Sequence, residues 1–210
     1  MIPLMLDLAG RTVLIFGGGD VGVRKAAFFQ HEAKVTVISR SFSPAFDGLT
    51  IRRCRMEIAD LREDELVRML TGAFLVVTAT SDPALNDRIG SLCRERGVLW
   101  NNAAGEQGDV LVPSIVAGKH YLLAVTTFGM SPAVPRYLRL RLEREYAELD
   151  GMIALQRDLR AMLKDAEPVQ DRRSATLWSV LCDEDIWAAL ASDYNRALHL
   201  AEERYLACPR

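Results

Sequence analysis

A glycine-rich turn between a predicted strand and a predicted helix constrains the fold of this chain more than any other feature. Residues 12–16 are apolar and rich in β-branched side chains, which is typical of a buried strand. Residues 21–33 have a helical composition and about the length of a crossover helix. Residues 17–22 read Gly-Gly-Gly-Asp-Val-Gly, which is G-x-G-x-x-G. A strand, this turn and a helix in that order are typical of a βαβ unit that binds a dinucleotide.

The chemistry of a dinucleotide site explains why each glycine of the motif is needed. Gly17 permits the tight turn, Gly19 lets the backbone approach a pyrophosphate, and Gly22 lets the helix pack close to the strand. The start of the helix, at Asp20 and Val21, offers free N–H groups to the phosphates. We predict that these five residues bind a dinucleotide; a glycine-rich turn without a ligand is the alternative.

Strand and helix candidates alternate along the first half of the chain. Further short runs with β-branched residues predict strands at 34–38, 51–56, 74–78 and 98–100, with helix candidates at 60–70 and 86–96. This alternation predicts an α/β fold with a parallel sheet and right-handed crossovers. Residues 110–116 and 121–127 add two strands beyond that pattern.

The composition changes after Gly129, because thirteen of the fourteen glycines lie at or before it and few β-branched residues follow. The last part of the chain is therefore predicted to be helical. Residues 136–164 predict an amphipathic helix or a pair of helices, with a break or a kink expected at Gly151. Residues 175–181 and 185–205 predict two more helices, and Asp183 or Glu184 is the expected cap of the last one.

Charge and cysteine content exclude several classes of function. The net charge is −2 and the pI is about 6.0, so no basic excess argues for a nucleic-acid partner. No apolar run approaches the roughly 18 residues of a membrane span, and no secretory signal is visible. The four cysteines form no C-x-x-C pair, which argues against zinc and disulfides. We expect a cytoplasmic protein without a metal site, a nucleic-acid partner or a membrane partner.

Ser39, Arg40 and Ser41 end the second strand, where a dinucleotide site usually carries an acidic residue. An arginine can accommodate the 2′-phosphate of NADP, so NADP is one interpretation of this position. In the other, Arg40 is solvated and one of the two serines contacts the ribose. The residues alone leave both open.

Two loops after later strands add candidate cofactor ligands. Thr80, Ser81 and Asp82 follow the fourth strand, where a doubly wound sheet places ligand-facing loops. Their oxygen atoms can bind ribose or nicotinamide, and a helix cap at Ser81 or Asp82 is equally compatible with them. Asn101 and Asn102 occupy the equivalent loop after the fifth strand, although paired asparagines are common in turns without function.

Four segments, in order and with similar spacing, resemble the precorrin-2 dehydrogenase family, which includes the N-terminal part of siroheme synthases. Residues 17–26 resemble its G-G-G-x-V-A-x-R-K-A opening, and residues 74–86 resemble its A-T-D-D-x-x-L-N segment. Residues 112–116 resemble the I-x-P-S/A-I strand, and residues 124–133 resemble the A-I-S-T-G-G-x-S-P turn. The resemblance extends from about residue 4 to residue 145.

The resemblance implies a Rossmann-type doubly wound parallel sheet that binds NAD over residues 1–112. It also implies a small dimerisation region over residues 113–145 and an α-helical C-terminal domain over residues 146–210. The implied activity is the NAD-dependent oxidation of precorrin-2 to sirohydrochlorin in siroheme biosynthesis, carried out by a homodimer. The family's use of NAD favours NAD over NADP at Arg40.

Ala104 departs from the family, which carries at this position an Asp that is its proposed general base and chelatase residue. A methyl group cannot accept a proton, and Glu106, Asp109 and His120 are the nearby groups that could replace the Asp or simply be solvated. Hydride transfer can survive without a base, because positioning supplies much of the catalysis. The alternatives to a dehydrogenase are a bifunctional Fe or Co chelatase and a catalytically weak protein that binds NAD or a tetrapyrrole.

The eight carboxylates of precorrin-2 require cationic partners. Arg136 and Arg139 share one face of a predicted helix and, with His120, are candidates for them. Pairing of these arginines with glutamates of the same helix is the alternative. Ser131 precedes this helix and can either bind a substrate carboxylate or cap the helix.

Overall fold

In the computed structural model the β-branched runs of the first half form one five-stranded parallel sheet. The strands are β1 (Thr12–Phe16), β2 (Lys34–Ser39), β3 (Arg52–Arg55), β4 (Leu75–Thr78) and β5 (Leu99–Asn102), in the order β3-β2-β1-β4-β5. All four neighbouring pairs are parallel. The strand order reverses between β1 and β4, which leaves a crevice outside the carboxyl ends of these strands. The predicted doubly wound sheet is confirmed.

The structure describes residues 1–103 and 108–206. The chain divides into two compact units, residues 1–112 and residues 113–210. Within the described ranges, no helix is both long enough and apolar enough to cross a membrane.

Helices cover both faces of the sheet. They are α1 (Asp20–Phe29), α2 (Glu63–Leu70) and α3 (Pro83–Glu95), with a 3-10 turn at Pro44–Gly48. Side chains of β1 alternate between two apolar clusters, because Val13 and Ile15 belong to one and Leu14 and Phe16 to the other. A strand that is buried on both faces explains the continuous apolar runs of the sequence.

The second unit begins with a two-stranded antiparallel hairpin, β6 (Ser114–Ala117) and β7 (Leu122–Val125). It continues with α4 (Ala133–Glu145), α5 (Leu149–Ala166), α6 (Gln170–Leu181), α7 (Glu184–Leu190) and α8 (Tyr194–Ala201), and with a π-helical turn at Glu202–Leu206. The buried core of this unit comes from α5 to α8 and contains Met152, Leu155 and Leu159.

The start of β6 and the break between α4 and α5 were predicted wrongly. Strand β6 begins at Ser114 and not at Val110, because Val110 and Val112 pack against an apolar cluster of the first unit. The break between α4 and α5 lies at residues 146–148, whereas Gly151 lies inside α5 against Leu190.

The helix predicted over residues 185–205 is interrupted at residues 191–193. The carboxylate of Asp193 accepts hydrogen bonds from the N–H groups of Asn195 and Arg196, and so starts α8 as a new helix. The predicted cap at Asp183 is confirmed, since its carboxylate accepts from Asp185 and Ile186 at the start of α7.

Candidate functional site

A cavity of about 720 Å³ lies at the carboxyl end of the parallel sheet. It is formed by the loops that follow β1, β2, β3 and β4, which is where an open α/β sheet binds its ligand. The predicted cofactor residues among its described lining are Gly17, Gly19, Asp20, Val21, Ser39, Arg40, Ser41, Thr80, Ser81 and Asp82. Gly22, Asn101 and Asn102 do not line this cavity.

The glycine-rich turn forms the tightest part of the cavity wall. Gly17 has φ +124°, and a Cβ there would collide with the carbonyl of Ala79. A Cβ at Gly18 would collide with the carbonyl of Ser41, so the turn lies directly against the loop that follows β2. Gly22 packs against the carbonyl of Gly17, which brings α1 close to β1. Side chains at these three positions would therefore separate the elements that form the wall.

Gly19 has a different environment, because a Cβ built on it meets no atom within 4 Å. It is the N-cap residue of α1, and no side chain caps this helix, so the first N–H groups lack a side-chain acceptor. Gly19, Asp20 and Val21 all line the cavity. An open backbone next to an uncapped helix N-terminus fits the pyrophosphate of a dinucleotide, which needs close approach and N–H donors.

Arg40 and Glu57 face each other at the side of the cavity formed by β2 and β3. The guanidinium Nη1 of Arg40 is 3.8 Å from Oε2 of Glu57, and both residues line the cavity. The other carboxylate oxygen of Glu57 accepts from the N–H of Ile58 at 3.1 Å and of Ala59 at 3.4 Å. Glu57 was missed in the sequence, although it directly follows the run that was predicted as the third strand.

The loop after β4 is held by a buried asparagine of α3. The hydroxyl of Thr80 donates to Oδ1 of Asn86 at 2.7 Å, and the amide of Asn86 donates to the carbonyl of Thr80 at 3.2 Å. Asp82 caps α3 by accepting from the N–H groups of Ala84 and Leu85. The capping interpretation of Asp82 is therefore correct, and Asn86 positions the loop without touching the cavity.

The side chains of the paired asparagines form hydrogen bonds with residues beside β5. Asn101 is buried, lies opposite Val77 and donates from its amide to the carbonyl of Val110 at 2.7 Å. Asn102 lies opposite Thr78, whose hydroxyl donates to Oδ1 of Asn102 at 3.4 Å. The structure thus places both side chains in contacts that tie β5 to its neighbours.

Of the candidate bases in this unit, Ala104 and Glu106 lie outside the described residues. Burial, with a smaller contribution from the carboxylate of Asp109, raises the pKa of the Cys93 thiol to about 12. Asp109 does not line the cavity.

His120 lies in the turn that joins β6 and β7. The backbone N–H groups of His120 and Lys119 each donate a hydrogen bond to the carboxylate of Asp150 at 2.8 Å. The hydrogen bond from Lys119, with that from His120, holds the pKa of Asp150 below its usual value. Ser131 follows the opposite end of the hairpin, so the hairpin does not bring the side chains of His120 and Ser131 together.

Three other predicted substrate residues lie at α4. Oγ of Ser131 accepts from the N–H of Val134 at 3.4 Å, at the start of the helix. Arg139 pairs with Glu143 at 2.6 Å, as the intrahelical alternative predicted. Arg136 is exposed, and within residues 1–103 and 108–206 its side chain has no hydrogen-bond or ion-pair partner.

The parallel sheet, the glycine turn, the uncapped helix N-terminus and the cavity together define a Rossmann-type nucleotide-binding protein. Residues 4–114 match a family model described as NAD(P)-binding. A solved structure titled SirC, precorrin-2 dehydrogenase, covers 97% of this chain and 100% of its own with a TM-score of 0.69. The two sequences are 23% identical, so this likeness supports the fold.

Curated relatives extend the similarity to nearly the whole chain. The chain is 38% identical over 205 residues to the precorrin-2 dehydrogenase of Methanosarcina barkeri. The aligned region covers 95% of this chain and 91% of the relative. It is 34% identical over 144 residues to siroheme synthase 1 of Klebsiella pneumoniae. This aligned region covers 68% of this chain and 30% of that longer relative. The chain belongs to the precorrin-2 dehydrogenase family.

Proposed function

We propose that this chain is an NAD-dependent precorrin-2 dehydrogenase that oxidises precorrin-2 to sirohydrochlorin in siroheme biosynthesis. The observation that carries the proposal is the 38% identity to a precorrin-2 dehydrogenase over 95% of the chain, which includes both units. The cavity at the end of the sheet supports it independently, because its lining fits a dinucleotide. A cytoplasmic location is part of this proposal and rests on the absence of paired cysteines.

The first unit binds the cofactor in this proposal. The backbone at Gly19 and the N-terminus of α1 hold the pyrophosphate, and the residues at the ends of β2 and β3 surround the adenosine ribose. The loop at Thr80, which Asn86 fixes, lines the part of the cavity next to β4. When bound, the oxidised nicotinamide accepts a hydride from the substrate, which also loses a proton.

The chain carries Ala104 where the family has its proposed base, and this sets an expectation for rate. Removal of a general base typically costs about 10²–10⁴-fold, while positioning still supplies a large part of the catalysis. We therefore propose a dehydrogenase that turns over slowly and in which the proton leaves to solvent. Asp109 is not proposed as a replacement for the base, because it does not line the cofactor cavity.

The second unit binds the substrate carboxylates in this proposal. Arg136 is the preferred partner, because its guanidinium is exposed and has no described partner to give up. Arg139 must share its guanidinium with Glu143, so its contribution is smaller. Guanidinium groups suit carboxylates because they can form two parallel charged hydrogen bonds.

We also propose that the chain forms a homodimer through the hairpin and α4. None of the 13 residues of α4 is buried within the chain. Val134, Tyr137 and Leu140 follow one another at steps of three along α4 and are 44%, 59% and 51% exposed. Leu122 of the hairpin is also exposed, at 44%. An apolar surface of this kind on one region is typical of an interface between subunits.

The test is incubation of the purified chain with precorrin-2 and NAD⁺. The expected result is sirohydrochlorin, identified by its absorbance, together with NADH. Ala104→Asp should raise kcat by up to about 10²–10⁴-fold, since it restores the family's carboxylate. Tight binding of NAD⁺ by calorimetry without turnover of precorrin-2 by the native chain would favour a binding protein instead.

A second arm of the same experiment adds Fe²⁺ or Co²⁺ to sirohydrochlorin. With the native chain, we expect the absorbance of sirohydrochlorin to decrease at the uncatalysed rate, because the methyl group of Ala104 offers neither a metal ligand nor a base. A metal-dependent loss of the spectrum that is faster with the enzyme would add chelatase activity to the proposed function.

A further inference from the structure

The side of the cavity formed by β2 and β3 contains a pair of opposite charges. Nη1 of Arg40 and Oε2 of Glu57 are 3.8 Å apart, and their side chains are 73% and 46% exposed. They come from adjacent parallel strands, in which Ser39 is paired with Arg55, so each follows the end of its own strand. Both charges are therefore accessible to a ligand at the cavity and close enough to each other to interact.

The backbone holds the carboxylate of Glu57 in this position. Its Oε1 accepts hydrogen bonds from the N–H groups of Ile58 and Ala59 at 3.1 and 3.4 Å, which leaves Oε2 toward Arg40. The start of this segment is fixed as well, because the N–H of Met56 donates to the carbonyl of Ser39 at 3.0 Å. Ile58 is buried and anchors the other side. The negative charge thus has a defined place beside the end of β2.

Arg40 is the only cationic side chain among the described residues that line the cavity. The acidic residues of that lining are Asp20, Glu57 and Asp82. Asp82 accepts the N–H groups that start α3, and Asp20 lies in the first turn of α1. Glu57 is therefore the acidic residue placed to cancel the charge of Arg40, and its removal would leave that corner positive.

We propose that Glu57 replaces the acidic residue missing from the end of β2 and makes this site select NAD over NADP. An acidic group near the adenosine ribose accepts a hydrogen bond from the 2′-hydroxyl of NAD and repels the 2′-phosphate of NADP. The same carboxylate lies 3.8 Å from the guanidinium and offsets the positive charge that would otherwise attract the 2′-phosphate. This inference rests on the proposed function only in that the cavity binds a dinucleotide.

The test compares the affinities of NADH and NADPH, measured by nucleotide fluorescence without tetrapyrrole. The native chain should bind NADH more tightly. Glu57→Gln retains an oxygen that can accept from Ile58 and Ala59 but loses the charge, and it should shift the ratio of the two Kd values toward NADPH by about tenfold or more. Adding Arg40→Gln to that variant should remove most of the gain in NADPH affinity. Asp64→Asn removes one acidic charge from α2, outside the cavity, and should leave the ratio unchanged.

An unchanged ratio in folded Glu57→Gln, a native preference for NADPH, or failure to bind either nucleotide would overturn the inference. Thermal melting of each variant checks the fold. The test of Glu57 can be distinguished from the test of the proposed function. A shifted ratio of Kd values without turnover of precorrin-2 would support the role of Glu57 and refute the dehydrogenase activity. Turnover with an unchanged ratio keeps the dehydrogenase and refutes the role of Glu57.

Discussion

The glycine turn of the first unit packs closely against its own unit, whereas α4 of the second unit keeps an apolar surface exposed. The turn is closed within its own unit, since Gly17, Gly18 and Gly22 each lie against a backbone carbonyl of that unit. Helix α4 has no buried residue and presents Val134, Tyr137 and Leu140 at its surface. The described lining of the cofactor cavity comes from the first unit, whereas we propose that a second copy of the chain covers the hairpin and α4.

The largest effect is expected at the closely packed glycine turn of the first unit. Gly17→Ala places a Cβ against the carbonyl of Ala79 at a positive φ, and should lower the free energy of unfolding by roughly 2–6 kcal/mol. Binding of NADH should be lost with it. Thermal unfolding and a fluorescence titration measure both effects.

Gly19→Ala is the matched control, because its Cβ meets no protein atom. It should keep the melting temperature of the native chain but weaken NADH binding, since the methyl group occupies space next to the uncapped helix. Equal stability of the Gly17 and Gly19 variants would mean that close packing of the turn does not maintain the fold.

The next largest effect is expected at the exposed apolar row of α4. Leu140→Asp puts a charge into the exposed row of α4 and should convert the proposed dimer to a monomer, because burying an unpaired carboxylate is costly. Size-exclusion chromatography with light scattering measures the mass. Met162→Asp, at an exposed apolar position of α5, is the control and should leave the dimer intact. A native chain that is already monomeric would contradict the proposed interface.

A smaller effect distinguishes two arginines of the same helix. Arg136→Gln should raise KM for precorrin-2 by about tenfold with little change in kcat, because it removes a charged hydrogen-bond donor that has no described partner. Arg139→Gln should raise KM less, since Arg139 is paired with Glu143. The reverse order would place the substrate carboxylates nearer to Arg139.

The smallest effect should be seen at the turn of the hairpin. Asp150→Asn removes one of two acceptors for the N–H groups of Lys119 and His120, so the melting temperature should fall at neutral pH. Folding lowers the pKa of Asp150, so its contribution is present above the pKa of the unfolded chain and is lost as pH falls through the folded pKa. The difference between the two proteins should therefore shrink in acid. A difference that is independent of pH would contradict the role of the charge.

Local sequence patterns were sufficient where one segment determines the structure. The order of β1, the glycine turn and α1 followed from the spacing of Gly17, Gly19 and Gly22, because the turn needs a positive φ at Gly17 and close packing of Gly22 against the carbonyl of Gly17. The capping aspartate Asp183 was predicted for the same reason. Asp193 carried a similar pattern after Ser192 and was missed inside an otherwise continuous helical run.

The position of Glu57 beside Arg40 could not be predicted from a local sequence pattern. Glu57 follows β3, whose four residues, Arg-Arg-Cys-Arg, lie inside the strand predicted at 51–56, but the strand prediction does not say which residues it places Glu57 beside. Its proximity to Arg40 depends on the register between β2 and β3, which brings together residues 17 positions apart. Asn86 is a similar case, because its bonds to Thr80 arise only when the first turn of α3 folds back on the loop.

A single-turnover reaction tests the central claim most directly. Enzyme in excess over precorrin-2, with saturating NAD⁺, should form sirohydrochlorin and NADH in equal amounts, and omission of NAD⁺ should abolish both. The absorbance of the two products can be followed in the same sample. Nucleotide binding with no NADH formed above the enzyme-free control would show that the native chain is not a dehydrogenase of precorrin-2.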